Sequence, residues 1–260
     1  MTIFQVDAFN NQLFKGNPAA VIPLEKWISD ELMQSIAEEN NLSETVFFVK
    51  NEHSFSIRWF TPAREVDLCG HATLAAAHII FTELNYAHNI LEFNSKSGKL
   101  TVKKNKDWYT LNFPSEEINE IKTPTYLEEA LHVSILKTYK GNWKLLIELE
   151  NEEDILNLTP NFSLLSKLES DGIIVTSKGT NVDFVSRFFA PKLNINEDPV
   201  TGSAHTILIP FWAKKLNKTT LNAIQLSKRV GILKCNYLND RVEMSGQAVT
   251  YLKGELTLKL

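Results

Sequence analysis

Short apolar and aromatic runs separated by polar turns dominate the hydrophobic pattern of this chain, and several of them alternate apolar with polar residues. Such runs are typical of β-strands that bury one or both faces. The pattern predicts strands at 3–9, 44–49, 55–61, 90–94, 99–104, 108–113, 134–140, 143–149, 171–177, 182–190, 223–227, 231–237, 240–246 and 249–258.

Three segments follow a helical pattern instead. The first, 29–39, begins with Ser29 as a capping residue and carries acidic residues in its first turn. The other two, 70–83 and 202–215, are strongly apolar. Many strands and few helices, without a regular strand–helix alternation, predict an α+β fold.

The chain has 260 residues, which is enough for two domains of about 100–150 residues each. The segment 112–124 is polar, acidic and bracketed by prolines, which is typical of a linker. We therefore predict an N-terminal lobe at 1–114 and a C-terminal lobe at 115–260, with the last strands able to cross back to the first lobe.

An internal repeat supports two related lobes. The segment "SIRWFTP" resembles "VSRFFAP", with Arg58 and Phe60 matched to Arg187 and Phe189 at a separation of 129 positions. Downstream, "GHATLAAAHII" aligns with "GSAHTILIPFW" at a separation of 132 positions. A strand, a polar loop and a helix opening on glycine therefore occur twice, which indicates a duplicated domain.

Composition excludes several classes of protein. The net charge of −4 and the lack of a basic cluster argue against a nucleic-acid partner. No apolar run reaches the roughly 18 residues of a membrane span, and the N-terminal segment does not resemble a signal peptide. Two cysteines, Cys69 and Cys235, fit neither a disulfide framework nor a zinc motif. These features predict a cytoplasmic protein with no membrane partner and no metal.

The two apolar helices would each expose unpaired backbone N–H groups and a partial positive charge at Gly70 and Gly202. Such helix N-termini suit an anion, most simply the carboxylate of a small substrate. Holding a carboxylate in this way helps to stabilise the enolate that forms when the adjacent C–H bond breaks. The repeat therefore predicts a site for proton transfer beside a carboxylate.

Three residues are candidates for the acid and base. Glu44 lies where a polar loop becomes an apolar strand, so its carboxyl group would be partly desolvated. His71 follows Gly70 at the first helix N-terminus, which disfavours a charged imidazole and predicts a neutral ring. Asp198 precedes the second helix. Each also fits a structural role, as a solvated acid, a capping residue or an Asp-Pro turn residue respectively.

Asn17, Ser203 and Cys69 complete the candidate set. Asn17 follows a glycine in a turn that leads into a strand, and it could bind substrate or serve the turn. Ser203 is the counterpart of His71 in the repeat and could donate a hydrogen bond or cap the helix. A thiol at a helix N-terminus can be reactive, but the repeat pairs Cys69 with Thr201, so we interpret Cys69 as a small packing residue.

Four ordered motifs, "FQVDAFNNQLFKGNPAAVI", "NNLSETVFFV", "IRWFTPAREVDLCGHATLA" and "NEDPVTGSAH", closely resemble the PhzF-like isomerase family of phenazine biosynthesis. The resemblance covers nearly the whole chain. It implies the diaminopimelate-epimerase-like fold, with two pseudo-symmetric domains, each a curved, mostly antiparallel sheet or barrel around a central helix. It also implies a cofactor-free active site and a homodimer.

By motif, the resemblance assigns the family's acid/base glutamate to Glu44 and supporting roles to Gly70, His71, Asp198, Gly202 and Ser203. The related epimerases use paired cysteines, of which this chain keeps only Cys69. The expected function is thus cofactor-independent isomerisation of a small carboxylated substrate. An epimerase of amino or hydroxy acids and a non-catalytic small-molecule binding protein remain the alternatives.

Overall fold

The chain forms two units in the computed structural model, which describes residues 1–258. The first unit contains Met1–Asn112 and the chain from Met244 onward, and the second contains Phe113–Glu243. The first stretch of this unit thus ends two residues before the predicted boundary at residue 114, and the unit also includes the last strand of the chain.

The first unit is built on mostly antiparallel strand pairs. Its strands are β1 (Thr2–Ala8), β2 (Asn17–Leu24), β3 (Glu44–Lys50), β4 (Phe55–Phe60), β5 (Glu65–Val66), β6 (Ile90–Ser95), β7 (Gly98–Asn105), β8 (Trp108–Pro114) and β17 (Ala248–Glu255). The antiparallel pairs are β1–β17, β1–β2, β3–β4, β4–β5, β6–β7 and β7–β8. The pairs β2–β3 and β4–β6 are parallel.

Two helices cover these strands. In α1 (Asp30–Asn40), the hydroxyl of Ser29 accepts a hydrogen bond from the Leu32 N–H at 3.3 Å, so Ser29 is the predicted cap. Helix α2 (Gly70–Thr82) is buried on every side from His71 to Phe81 and packs against β1, β2, β3 and β17. A helix that is apolar all round is stable only when it is enclosed in this way.

The second unit repeats the plan with more short helices. Its elements are β9 (Asn119–Ile121), α3 (Leu127–Leu131), β10 (Lys137–Lys140), β11 (Lys144–Glu148), α4 (Glu152–Leu156), α5 (Phe162–Leu165), β12 (Gly172–Lys178), β13 (Phe184–Phe189), α6 (Gly202–Leu216), β14 (Thr220–Gln225), β15 (Gly231–Tyr237) and the start of β16 (Arg241–Gly246). The pairs β11–β12 and β13–β14 are parallel, and β9–β10, β10–β11, β12–β13 and β14–β15 are antiparallel.

Helix α6 contains a proline, Pro210, yet remains continuous. Proline has no N–H, so the carbonyl of Thr206, four residues earlier, loses its helical partner. The backbone N–H of Glu116 donates to that carbonyl at 3.0 Å and satisfies it. The segment after β8 is thereby fastened to the central helix of the second unit.

The α+β fold, with mostly antiparallel strands and a buried central helix in each unit, is confirmed. The segment 112–124, predicted as the linker, includes the boundary between the two units, and it also contains β9, which pairs with β10. That strand has only three residues, too few for a recognisable alternation. Across residues 1–258, no helix has the length and apolar character needed to cross a membrane.

Candidate active site

The first candidate site lies where two parallel strands begin beside the start of α2. Asn17 is the first residue of β2 and Glu44 is the first residue of β3, and the register pairs Ala19 with Glu44. Both strands pack against α2, whose second residue is His71. The local sequence therefore brings Asn17, Glu44 and His71 to one edge of the sheet.

Glu44 and His71 form a buried ion pair. Oε2 of Glu44 lies 3.1 Å from Nε2 of His71, and their side chains are 14% and 5% exposed. The N–H bond of His71 is not aligned on the carboxylate, and neither atom has a hydrogen-bond partner elsewhere within residues 1–258. Two buried polar atoms that satisfy each other only partly can bind a further polar group.

The pair changes the charge expected of His71. Burial by itself would lower the pKa of His71, but Cys69 and the Glu44 carboxylate outweigh burial and raise this pKa well above 6.5. This direction runs against the predicted neutral ring. The helix N-terminus contributes about 0.3–1 kcal/mol against the cation, and a carboxylate at 3.1 Å in a buried site overrides it.

The other ring nitrogen of His71 has two neighbours. Nδ1 lies 3.3 Å from Nδ2 of Asn17 and 3.5 Å from Sγ of Cys69. Cys69 is the N-cap residue of α2 and is 7% exposed, so it packs as expected but also contacts the imidazole. Burial, reinforced by the Glu44 carboxylate, raises the pKa of the Cys69 thiol.

One potential metal-ligating atom from each of Glu44, Cys69 and His71 lies within 4.8 Å of the other two, which raises the question of a metal. In this arrangement Glu44 and Cys69 approach opposite nitrogens of a single imidazole. One ion can bind only one of those nitrogens, so the present geometry fits direct contacts among the three side chains better than a shared metal.

The second candidate site lies at the start of α6, in the second unit. Thr201 is the N-cap residue, but its hydroxyl does not cap the helix; it donates to Oδ2 of Asp198 at 2.5 Å. Gln225, fully buried at the end of β14, accepts from the Thr201 N–H at 2.8 Å and donates to the Asp198 carbonyl at 2.8 Å. This amide fixes the loop that leads into the helix.

Gly202 and Ser203 follow as the first two residues of α6, so Ser203 does not occupy the cap. The carbonyl of Ser203 accepts from Nζ of Lys144 at 2.6 Å, and the same ammonium pairs with Glu116 at 2.9 Å. Lys144 is 2% exposed, and its burial lowers the pKa of the ammonium despite the Glu116 carboxylate.

The structure thus groups Asn17, Glu44, Gly70 and His71 in the first unit, and Asp198, Gly202 and Ser203 in the second. Sequence reasoning missed Gln225 and Lys144. A lysine inside the apolar run "WKLLIEL" was the one available signal, because a buried lysine requires a partner.

The comparisons with known proteins identify the family. A family model described as "Phenazine biosynthesis-like protein" (PhzC-PhzF) matches residues 6–254. The chain belongs to this family. This member of the phenazine biosynthesis-like family is 46% identical to an uncharacterized isomerase of Pseudomonas aeruginosa, over 99% of both chains.

Solved structures agree with the family assignment. A crystal structure of a phenazine biosynthesis protein of the PhzF family from Enterococcus faecalis matches with a TM-score of 0.97 and 50% identity, covering 99% of both chains. A probable proline racemase from Agrobacterium radiobacter matches with a TM-score of 0.65 and 7% identity over 99% of this chain and 93% of that one. The second likeness concerns the fold alone.

Proposed function

We propose that the protein is a cofactor-independent isomerase that moves a proton on a small carboxylated substrate by general acid–base catalysis. The observation that carries this proposal is the buried ion pair between Glu44 and His71 at the N-terminus of α2. The names of the relatives support the reaction class, because the Pseudomonas aeruginosa relative is itself called an isomerase.

In this mechanism Glu44 is the group that takes and returns the proton. As the first residue of β3, it belongs to a strand whose next four residues are buried, so its position is fixed. The raised pKa of His71 favours a positively charged imidazole 3.1 Å from the Glu44 carboxylate. A fixed carboxylate beside a cation is suited to removing a proton from carbon.

The start of α2 would supply the binding half of the site. Helix N-termini bind anions through free N–H groups and the helix dipole, and Gly70 keeps a side chain from blocking the first turn. A substrate carboxylate held there would place its α-carbon near Glu44. Asn17 as a binding residue, and Asp198, Gly202 and Ser203 as contributors from the second unit, stay predictions, as do the homodimer and the cytoplasmic location.

A deuterium experiment tests the proposal. The protein is incubated in deuterated water with a set of unsaturated and hydroxylated carboxylates, and products are read by mass and retention time. We expect one substrate class to gain deuterium at carbon and to yield an isomer. Glu44→Gln should lower the rate by about 10²–10⁴ while the protein stays folded.

Glu38→Gln provides the matched control, since Glu38 is an exposed glutamate on α1. It should leave turnover and folding unchanged. If Glu44→Gln turns over the substrate as fast as the unaltered protein, Glu44 is not the acid/base. Binding of a carboxylate without deuterium at carbon would instead favour a non-catalytic binding protein.

Epimerisation of amino or hydroxy acids is the second candidate. The observation that favours it is a second ionisable group, Cys69, on the far side of His71 from Glu44. Epimerisation predicts deuterium at the α-carbon together with inversion of one enantiomer. Isomerisation predicts a shifted double bond, so the same incubation separates the two reactions.

A further inference from the structure

The imidazole of His71 is held between three polar side chains, and only two of them can carry charge. Glu44 on β3 faces Nε2, whereas Cys69 at the start of α2 and Asn17 on β2 face Nδ1. Glu44 and Cys69 are the ionisable groups that raise the pKa of this ring. The state of His71 therefore depends on what Nδ1 meets.

Nδ1 cannot donate to both of its neighbours as they stand. Asn17 presents its Nδ2 amide nitrogen at 3.3 Å, and because an amide nitrogen only donates hydrogen bonds, this contact is satisfied only when Nδ1 carries no proton. A charged imidazolium carries a proton on each nitrogen, so its Nδ1–H requires an acceptor. The sulfur of Cys69, at 3.5 Å, is the acceptor that this arrangement provides.

We propose that Cys69 is a positioning residue of the acid–base site: its sulfur accepts the Nδ1–H of His71 and thereby holds the ring as an imidazolium that faces Glu44. The role rests on the proposed function, because the charged ring matters for catalysis only if Glu44 transfers the proton. Cys69 acts through His71 and needs no contact with substrate.

The surroundings of the thiol agree with this role. Cys69 is the N-cap residue of α2, and its sulfur lies near both the Ala72 N–H and Nδ1 of His71. Burial and the Glu44 carboxylate raise the pKa of the thiol, whereas His71 and the Ala72 N–H act in the opposite direction. Sulfur accepts a hydrogen bond as a thiol and accepts it more strongly as a thiolate.

Titration of His71 by nuclear magnetic resonance tests the proposal without any substrate. The pKa of His71 is measured in protein labelled at histidine, for the unaltered chain and for Cys69→Ala, Cys69→Ser and Asn17→Ala. We expect Cys69→Ala to lower the pKa of His71 by about one unit or more. Cys69→Ser should lower it less, because the hydroxyl oxygen can still accept. Asn17→Ala should leave the ring charged.

Other side chains serve as controls. His78 and His205 are buried, with pKa values of about 4, and should not move in any variant. Cys235→Ala removes the other buried cysteine, on β15 in the second unit, and should leave His71 unchanged. Thermal melting confirms that each variant is folded.

An unchanged His71 titration in folded Cys69→Ala would overturn the proposal. A large fall in Asn17→Ala with none in Cys69→Ala would overturn it as well, by making the amide oxygen the acceptor. The proposed function fails separately, through Glu44→Gln in the deuterium experiment. If the function holds, the pH profile of exchange in Cys69→Ala should shift in the same direction as the pKa of His71.

Discussion

The two units place different chemistry on the same frame, at the N-termini of α2 and α6. Phe60 and Phe189 are matched in the repeat, and they pair with Thr45 and Ile173 respectively. The residues just before these two partners, Glu44 and Gly172, therefore occupy equivalent positions in the two units. The repeat likewise matches His71 to Ser203 and Cys69 to Thr201. The first helix start therefore has three ionisable groups where the second has a glycine and two hydroxyls.

The neighbouring parallel strand carries a charge only in the second unit, where Lys144 stands at the position matched to Ala19. Ala19 pairs with Glu44 in the first unit, and Lys144 occupies the corresponding position opposite Gly172 in the second. Each unit thus ties the second residue of its central helix to the parallel strands: Glu44 contacts the side chain of His71, and Lys144 binds the carbonyl of Ser203. The first tie uses ionisable side chains suited to proton transfer, whereas the second is anchored on the backbone.

The largest expected effect follows from the tie in the second unit. Lys144→Met should leave the Glu116 carboxylate, 13% exposed, without its cation. Removing one partner of a buried pair typically costs about 3–5 kcal/mol, because the remaining charge is uncompensated. Urea denaturation measures the loss of unfolding free energy.

The double variant Lys144→Met with Glu116→Gln is the control for this prediction. It removes both charges and should recover most of the lost unfolding free energy. A loss below about 1 kcal/mol for Lys144→Met would mean that the ion pair is effectively solvated. The tie to α6 would then be much weaker than the distances suggest.

Sequence reasoning predicted the first helix start better than the second, and the reason is physical. Glu44 and His71 stand out because ionisable residues next to apolar runs are unusual. Lys144 and Gln225 lie on strands of the second unit, and their partners, Glu116 and Asp198, are 27 or 28 positions away. Contacts of that kind depend on strand register, which a pattern of single residues does not specify.

The same limit applies to the fold. The long helices α1, α2 and α6 were predicted within one residue of their starts, because several turns give a clear period. The short helices α3, α4 and α5, each of four or five residues, were not predicted. One turn has no periodicity, and such helices are stable only when packed in the folded unit.

The next largest effect is the pH dependence of stability that comes from one buried histidine in each unit. Burial lowers the pKa of His78 in the first unit and of His205 in the second to about 4. Both rings are therefore neutral in the folded protein but become charged near pH 6.5 when unfolded. Their contribution to stability is complete above about pH 6.5 and is lost as the pH falls toward 4.

Between pH 7 and pH 5, each of these two histidines should account for about 2 kcal/mol of lost unfolding free energy. His78→Asn and His205→Asn should each reduce this acid-induced loss, and His53→Asn, at an exposed residue, should not. His71 has the opposite sign, because its pKa is raised: its contribution is present below pH 6.5 and is lost as the pH rises through the folded value. Urea denaturation at several pH values distinguishes the two signs.

The smallest effect concerns residues that the two units share. Arg58 forms two hydrogen bonds with Glu65, at 2.7 and 2.9 Å, and Arg187 forms the same two with Glu197 at the same distances. Each guanidinium also lies over the ring of the matched phenylalanine, at 5.2 Å for Phe60 and 5.1 Å for Phe189. These pairs brace the loop before each central helix.

Because the two geometries agree so closely, double-mutant cycles on the two pairs should give similar coupling energies, about 1 kcal/mol each. The variants are Arg58→Met with Glu65→Gln and Arg187→Met with Glu197→Gln, measured by urea denaturation. Arg58 also contacts Asp30, so the cycle for the first unit is repeated in an Asp30→Asn background. Coupling energies that differ by more than about 1 kcal/mol would show that the loops before α2 and α6 are held differently in the two units. The difference between the two helix starts could then not be explained by the exchange of side chains such as Glu44 for Gly172 alone.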